Sequence, residues 1–425
     1  MATERRTLKP RRALALASFV LLAAWAARAA SAYKILHNFD GTDGVGPWGG
    51  VVLDASGNAY GASDSGGGSG CNGYGCGLVF RLTLQPDGTW TETVLYAFTG
   101  GTDGATPRGG LVIDHSGDVY GTTTRGGAYK DGTAFELSPE SDGWTLTTLY
   151  AFCPKVGRSG CLDGGGTETA LARDGAGNLY GTKPGGAGNP GVVFELRPGD
   201  NGWEEKVLHN FGLRKGDPIG LYAGLILDAS GNLYGTTRYG GGICSGDGCG
   251  VVYELSPEPG GKWKETVLHR FDNNGKDGYT PGSGALFMDR SGSVYGTTEV
   301  GGSAGYGTLF KLARETKGGR KETILYNFSS GSGGNLPNAG VVMDKAGNLY
   351  GATPFGGGPS GCGVLYKLAP TAKHKWKYSV LHTFGEGYDG CVPEGNLVID
   401  SKGNLYGGTV LGGAYGAGTV FELTP

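Results

Sequence analysis

The chain alternates short apolar runs with dense polar and glycine punctuation, and it repeats that alternation seven times. In the second copy, Gly110-Leu111-Val112-Ile113 is an apolar strand ending at Asp114, and residues 114–118 read as a tight turn. Residues 119–123 return as a second strand, Gly126-Gly127 opens a loop, residues 133–137 make a third strand, and a fourth runs over 144–152. Runs this short, bounded by Gly, Asn and Asp, read as strands joined by hairpins. The register is marked by Tyr60, Tyr120, Tyr180, Tyr234, Tyr295, Tyr350 and Tyr406, spaced 60, 60, 54, 61, 55 and 56 residues apart. Four antiparallel strands per unit at such a period predict an all-β fold, a seven-bladed β-propeller of four-stranded antiparallel blades.

The two ends of the pattern predict how the ring shuts. Residues 33–39 read as a fourth strand lacking its first three, and residues 419–423 as a third strand lacking a fourth. The N-terminal strand is therefore expected to complete the last blade, which hides the edges that an open ring would expose.

Turn chemistry agrees at each level. Asp54, Asp114, Asp174, Asp228, Asp289, Asp344 and Asp400 close the first strands, where a carboxylate can accept the turn amides. Seven calcium sites in their place would need several further oxygen ligands per loop, which the sequence does not supply. The Gly-Asn steps at Asn58, Asn178, Asn232, Asn348 and Asn404 fall where a hairpin wants a positive φ. Glycine is extreme, 88 of 425 residues, yet it recurs at fixed phases of the repeat, so it punctuates strands rather than dissolving them.

Residues 1–32 differ from the rest. Arg5, Arg6, Lys9, Arg11 and Arg12 precede an apolar stretch over 13–27, and Ala30-Ser31-Ala32 offers a cleavage site before Tyr33. That order is how a secretory signal reads, leaving residues 33–425 as the propeller domain. The apolar run is shorter than the ~20 residues of a membrane span, so no stable span is expected after cleavage. The segment holds six Lys/Arg and one Glu, so the formal charge of −3 becomes −8 without it. An acidic exported domain has no long-range pull on phosphate backbones, which argues against a nucleic-acid partner.

Eight cysteines in an exported chain read first as disulfides. The spacing suggests Cys71–Cys76, Cys153–Cys161 and Cys244–Cys249 within single loops, leaving Cys362–Cys391 to pair across two. His37, His209, His269 and His382 share one repeat position, Leu-His-x-Phe, where other copies carry Tyr96, Tyr150 and Tyr326. Being on separate blades, they are too far apart to ligate one metal, and they read as surface aromatics. Trp90, Trp144, Trp203, Trp263 and Trp376 start the same strand and read as packing between blades.

In this strand order the fourth-to-first and second-to-third loops emerge on one face. The former carry Asp-Gly: Asp43, Asp103, Asp277 and Asp389 with Pro three residues after the Gly, and Asp163 without it. The latter carry Thr122-Thr123, Thr236-Thr237 and Thr297-Thr298. Together they suggest a shallow ring of carboxylates and hydroxyls suited to a glycan or protein ligand, because function tends to sit on loops held by a rigid scaffold. Each Asp is equally the turn residue that bonds its own backbone. A hydrolase or lyase acting on extracellular polysaccharide or peptide is the alternative, and a ligand-free spacer is a further one. An enzyme would need two or three unique polar residues converging on the axis mouth. Departures from the repeat are Arg173, Glu168 and the loop over 213–218. The string Gly301-Gly302-Ser303-Ala304-Gly305 has the form of a nucleophile elbow but lacks the helix that motif requires. No catalytic residue, cofactor or metal is expected, and a monomer is.

The string Gly231-Asn232-Leu233-Tyr234-Gly235-Thr236-Thr237, followed by Gly-Gly and a Val-Phe-Glu-Leu strand, resembles the GloVer extracellular repeat of choice-of-anchor tandem-repeat proteins. The likeness covers residues 33–425. It implies an exported protein, secreted, periplasmic or on the cell surface, and it brings no reaction and no catalytic residues.

Overall fold

One glycine per copy makes room for one aromatic ring, and the ring of blades is built on that exchange. Gly61 lies directly opposite Phe80, and a Cβ there would stand 2.3 Å from Phe80 Cζ. The aromatic at this place in each third strand meets the phenylalanine that follows the fourth strand of the preceding blade. These pairs are tilted or edge-to-face, at 5.1 Å for Phe39–Phe80, 5.2 Å for Phe98–Phe135, 5.4 Å for Phe152–Phe194 and 4.8 Å for Phe211–Tyr253. Phe271–Phe310, Phe328–Tyr366 and Phe384–Phe421 complete the set at 5.2, 5.3 and 5.5 Å. Such a pair adds ~0.5–1.5 kcal/mol beyond the area it buries.

The computed structural model describes residues 31–425 except 155, 158–159, 162, 164–165, 185–190, 201, 243, 245–247, 317 and 373–374. The expected signal segment, 1–32, lies outside the described residues save for its last two. Ser31 Oγ donates to Leu381 O at 2.6 Å, and Ala32 already pairs with Thr424.

Blade 1 runs outward from the axis as Val51–Leu53, Ala59–Ser63, Leu78–Leu84 and Trp90–Ala97. Blades 2, 3, 4 and 6 repeat this order over 112–151, 172–211, 226–270 and 342–383. In blade 5 the second strand lengthens to Val294–Gly301 and also pairs with Gly278–Pro281. Blade 7 is Val398–Ile399, Leu405–Thr409 and Thr419–Thr424, and Ala32–Asn38 is its outermost strand. The molecule is thus a seven-bladed β-propeller closed by its N-terminal strand. Its core is seven layers of buried side chains, one at each blade interface. Trp90 meets Tyr406, Trp144 meets Tyr60 and Trp263 meets Tyr180, each across an interface.

A bulge recurs in every outer strand pair. Val79 pairs with Tyr96 and Phe80 with Val94, so Leu95 is the extra residue. A bulge bends the strand and re-aims its neighbours. Here it sinks the leucine into the core and turns Tyr96, or the histidine of other copies, toward the following loop.

The first-to-second-strand turns are locked as the sequence suggests. Asp228 Oδ1 accepts the amides of Ser230 and Asn232 at 2.9 and 3.0 Å, while Oδ2 accepts Asn232 Nδ2 and Tyr234 Oη, both at 2.9 Å. One detail differs from expectation. The positive φ falls on the glycine, as at Gly231 with φ 79°, and not on the following asparagine. The asparagine instead spends its amide on the carboxylate.

Candidate functional site

The loops of the opposite face carry the predicted site residues. Each loop aspartate is a lock between the bulged outer strand and the chain that follows it. Asp103 Oδ2 accepts Thr99 N at 2.7 Å and Tyr96 Oη at 3.1 Å, and Asp163 accepts Tyr150 Oη at 3.1 Å and Cys153 N at 3.0 Å. Asp43, Asp277 and Asp389 hold histidines, through Nε2 of His37 at 2.9 Å, His269 at 3.2 Å and His382 at 2.9 Å. These histidines are part-buried and partnered rather than surface aromatics.

The threonine pairs are buried. Thr123 and Thr298 share their hydroxyls with Thr133 and Thr308 at 3.0 and 2.9 Å. Thr122 and Thr297 donate to Thr169 O and Ala339 O of the next blade at 3.3 and 2.9 Å, tying neighbours around the axis. Thr237 donates to Tyr239 O at 3.0 Å, and Thr236 is buried. These carboxylates and hydroxyls lie around one face, and most of their polar atoms with a recorded partner are engaged in shaping it.

Inside that circle lies a second one that the sequence reading missed. Trp48, Arg108, Glu168, Tyr222, Ser283, Asn338 and Glu394 occupy one repeat position, just before a pair of residues that leads into each first strand and is mostly glycine or alanine. All seven line a single cavity of about 160 Å³, to which every blade contributes, so it lies on the axis. The small residues behind them let the inner strands crowd together: a Cβ on Gly49 would stand 2.5 Å from Gly110 N, and one on Gly284 would stand 1.7 Å from Gly340 N. The signal was a position that changes residue from each blade to the next, only glutamate being used twice, beside a following pair that is mostly glycine or alanine.

The ring is electrically organised. Arg108 donates from Nε and Nη2 to Asp64 Oδ2, both at 3.2 Å, and lies 3.6 Å from Glu168 Oε1. Its guanidinium also stands 5.0 Å from the centre of the Trp48 ring. Arg238 grips Glu299 with both terminal nitrogens, one at 2.7 Å. Burial pushes the Glu394 carboxyl above the usual carboxylate range, Glu299 adds to this, and Arg108 opposes it. Asn338 Oδ1 accepts Ser283 N at 2.8 Å, and Asn396 Oδ1 accepts Gly340 N at 2.9 Å, so both amides are held in fixed poses.

The remaining departures are structural ties. Arg173 reaches Asp114 Oδ2 at 3.1 Å on the far face, and in the 213–218 loop Asp217 Oδ2 accepts Arg214 N at 2.7 Å, as the other loop aspartates do. All four expected disulfides form, Cys71–Cys76, Cys153–Cys161, Cys244–Cys249 and Cys362–Cys391. Every one of them lies in a loop of the face with the axial cavity. His37, Asp43 and Glu92, and His269, Asp277 and Glu322, bring three ligand-type atoms within 4.8 Å of one another. Asp131 joins Cys153 and Cys161 in a third such group, but those sulfurs are bonded to each other. Among the described residues no helix is long and apolar enough to cross a membrane.

Fold and site together define a disulfide-stapled, seven-bladed repeat propeller with a non-repeating axial mouth. The Gloeobacter/Verrucomicrobia repeat matches residues 26–247 and 223–425, and the chain belongs to that family. No curated protein matches it. Among solved structures, it is similar to a protein from Lactobacillus plantarum, with a TM-score of 0.49 at 16% identity over 81% of this chain and 85% of that one. A protein of unknown function from Dyadobacter fermentans DSM 18053 gives a TM-score of 0.45 at 11% identity, over 92% and 96% respectively.

Proposed function

We propose that this is an exported binding module that takes the end group of an extracellular glycan at its axial mouth. The observation that carries this reading is the ring of Trp48, Arg108, Glu168, Tyr222, Ser283, Asn338 and Glu394. It combines two aromatic faces, two carboxylates, an amide, a hydroxyl and a guanidinium. A sugar presents apolar C–H faces for aromatic rings and hydroxyls for fixed polar groups, and few other ligands ask for both at once. The cavity, at about 160 Å³, is below the ~300–1,000 Å³ of sites that engulf a whole drug-sized ligand. One residue of a longer chain suits it, with the rest lying across the loops shaped by the Asp43, Asp103, Asp163, Asp277 and Asp389 locks. The four disulfides, and the charge of −8 left by loss of the leader, fit a protein working outside the cytoplasm.

Hydrolysis at the same mouth is the second reading, and one observation favours it. Glu394 is part-buried with its carboxyl held above the usual range, while Glu168 stands exposed on the same mouth, and a carboxyl kept protonated by its surroundings can serve as a general acid. A glycan array probed with the full chain tests both readings. Binding is expected to fall at least tenfold in Arg108→Ala and Trp48→Ala and to persist in Tyr74→Ala. Undiminished binding in the first two removes the axial site, and release of sugar from any bound glycan, lost in Glu394→Gln, establishes the enzyme.

A further inference from the structure

Behind the mouth loops, three blade interfaces carry the same arrangement. The residue turned inward by the bulge in one blade's outer strand meets the aspartate of the next loop and a glutamate from the outer strand of the following blade.

Between blades 2 and 3 this place already holds a cation of the protein's own. Lys183 is fully buried, with Nζ 3.3 Å from Asp163 Oδ2 and 4.0 Å from the Phe152 ring centre. Glu205 and Asp131 also act on its charge. Lys183 stands where blades 1 and 5 carry Ser63 and Thr298. Those two blades therefore present the same pair of carboxylates with no lysine, and there the inward residue is histidine instead of Tyr150.

Between blades 4 and 5, His269 Nε2 lies 3.2 Å from Asp277 Oδ2 and 3.4 Å from Glu322 Oε1. Asp277 is only 8% exposed, and its Oδ1 is buried without a donor among the described residues, while Glu322 Oε1 lies against the imidazole and the Asp277 carboxylate. Between blades 7 and 1, His37 Nε2 lies 2.9 Å from Asp43 Oδ2, and the equally buried Glu92 Oε1 has no hydrogen-bond partner either. In both places two carboxyl groups face one imidazole, where in blade 3 the lysine meets the carboxyl groups. The separations of 3.2 and 3.4 Å around His269 also suit a metal, and the His37 group keeps its ligand atoms within 4.8 Å of one another. Bonds of ~2.0–2.1 Å to a tetrahedral zinc ion imply ligand-to-ligand edges of ~3.3–3.4 Å.

We propose that His269, Asp277 and Glu322 bind one first-row divalent cation of the zinc type, and that His37, Asp43 and Glu92 bind another, each clamping two adjacent blades. The donor set of one imidazole nitrogen and two carboxylates suits such an ion, whereas calcium asks for six to eight oxygens. The other two histidines are half-sites. His382 pairs with Asp389 at 2.9 Å, but Tyr33 stacks on it at 3.8 Å where the glutamate would stand. His209 faces Glu265 at 3.3 Å, while Asp217 of its loop accepts Arg214 N at 2.7 Å. The four histidines are indeed too far apart to share a metal, but two of them find their co-ligands locally.

The test uses the full folded chain, stripped with chelator, equilibrated with zinc chloride and read by elemental mass spectrometry and calorimetry. Two zinc ions per chain are expected. His269→Tyr leaves one, His37→Tyr with His269→Tyr leaves none, and His382→Tyr keeps two. Tyr96 and Tyr150, the chain's own residues at this position, bond the loop aspartate through Oη, so these variants retain that lock. Glu322→Gln, which preserves shape, is expected to lose one ion as well. Zinc should raise the melting temperature of the wild type and not of the double variant. Failure of the wild type to hold zinc at micromolar concentration overturns the proposal, as does a stoichiometry unchanged in the double variant.

Discussion

The two faces of this ring are built on opposite principles. On the turn face, Asp54, Asp114, Asp174, Asp228, Asp289, Asp344 and Asp400 repeat one hydrogen-bonded lock, from which the tyrosine bond at the sixth residue is never missing. On the mouth face, loops vary in length, all four disulfides gather, and the axial ring changes residue at every blade. Repetition serves stability, because one local solution works seven times. Variation suits the recognition proposed for the mouth, because the axis is lined by six kinds of side chain, glutamate alone occurring twice. Most fourth-to-first loops keep an aspartate lock to the backbone, and covalent staples add to it where the loops differ.

The largest effect that sharpens this contrast is expected from the staple that spans two loops. Cys362–Cys391 closes 29 residues and Cys71–Cys76 closes five. Chain entropy then assigns ~3.5 kcal/mol to the former and ~2 kcal/mol to the latter. Replacing each pair by serine and comparing chemical denaturation should give that order, and equal losses would show that the staples do not work through the unfolded chain. Next comes Asp228→Ala on the turn face, expected to cost ~3 kcal/mol by orphaning two amides and a tyrosine while leaving glycan binding unchanged. Lost binding in the folded variant would dissolve the distinction between the faces.

A smaller effect is expected from pH. Burial raises the folded-state pKa of Glu394, so the folded protein holds this proton more tightly than the unfolded chain. Its contribution to stability is present below the unfolded carboxylate pKa and is lost as pH rises through the folded value. Melting curves should show a decline over that interval that Glu394→Gln removes, and a decline preserved in the variant would assign it to other groups. The smallest effect is expected at Tyr74, 78% exposed on a mouth loop, where Tyr74→Ala should shift stability by less than ~0.5 kcal/mol.

Blade number, strand order, closure and all four disulfides were legible in the sequence because each rests on spacing, which a single chain displays. The turn locks were legible for the same reason, although the assignment of positive φ to Gly231 rather than Asn232 needed backbone geometry. The axial ring was not. Seven residues of six types, 54 to 61 positions apart, share a letter only at Glu168 and Glu394, and only the small residues behind positions such as Trp48 or Arg108 disclose that they converge. The His269 cluster escaped for a related reason: Glu322 comes from the following blade, 53 residues on, and the bulge reverses the direction that simple alternation assigns to the histidine.

The closing strand has a mechanical meaning. Ala32 lies opposite Thr424 and Asn38 opposite Thr419 in an antiparallel pair, so the outer ends of the two strands lie side by side at one corner. A load pulling those ends apart meets the ladder one rung at a time and peels it open like a zip, rather than shearing all rungs together. Stretched between its two ends, the ring is expected to open first at this seam.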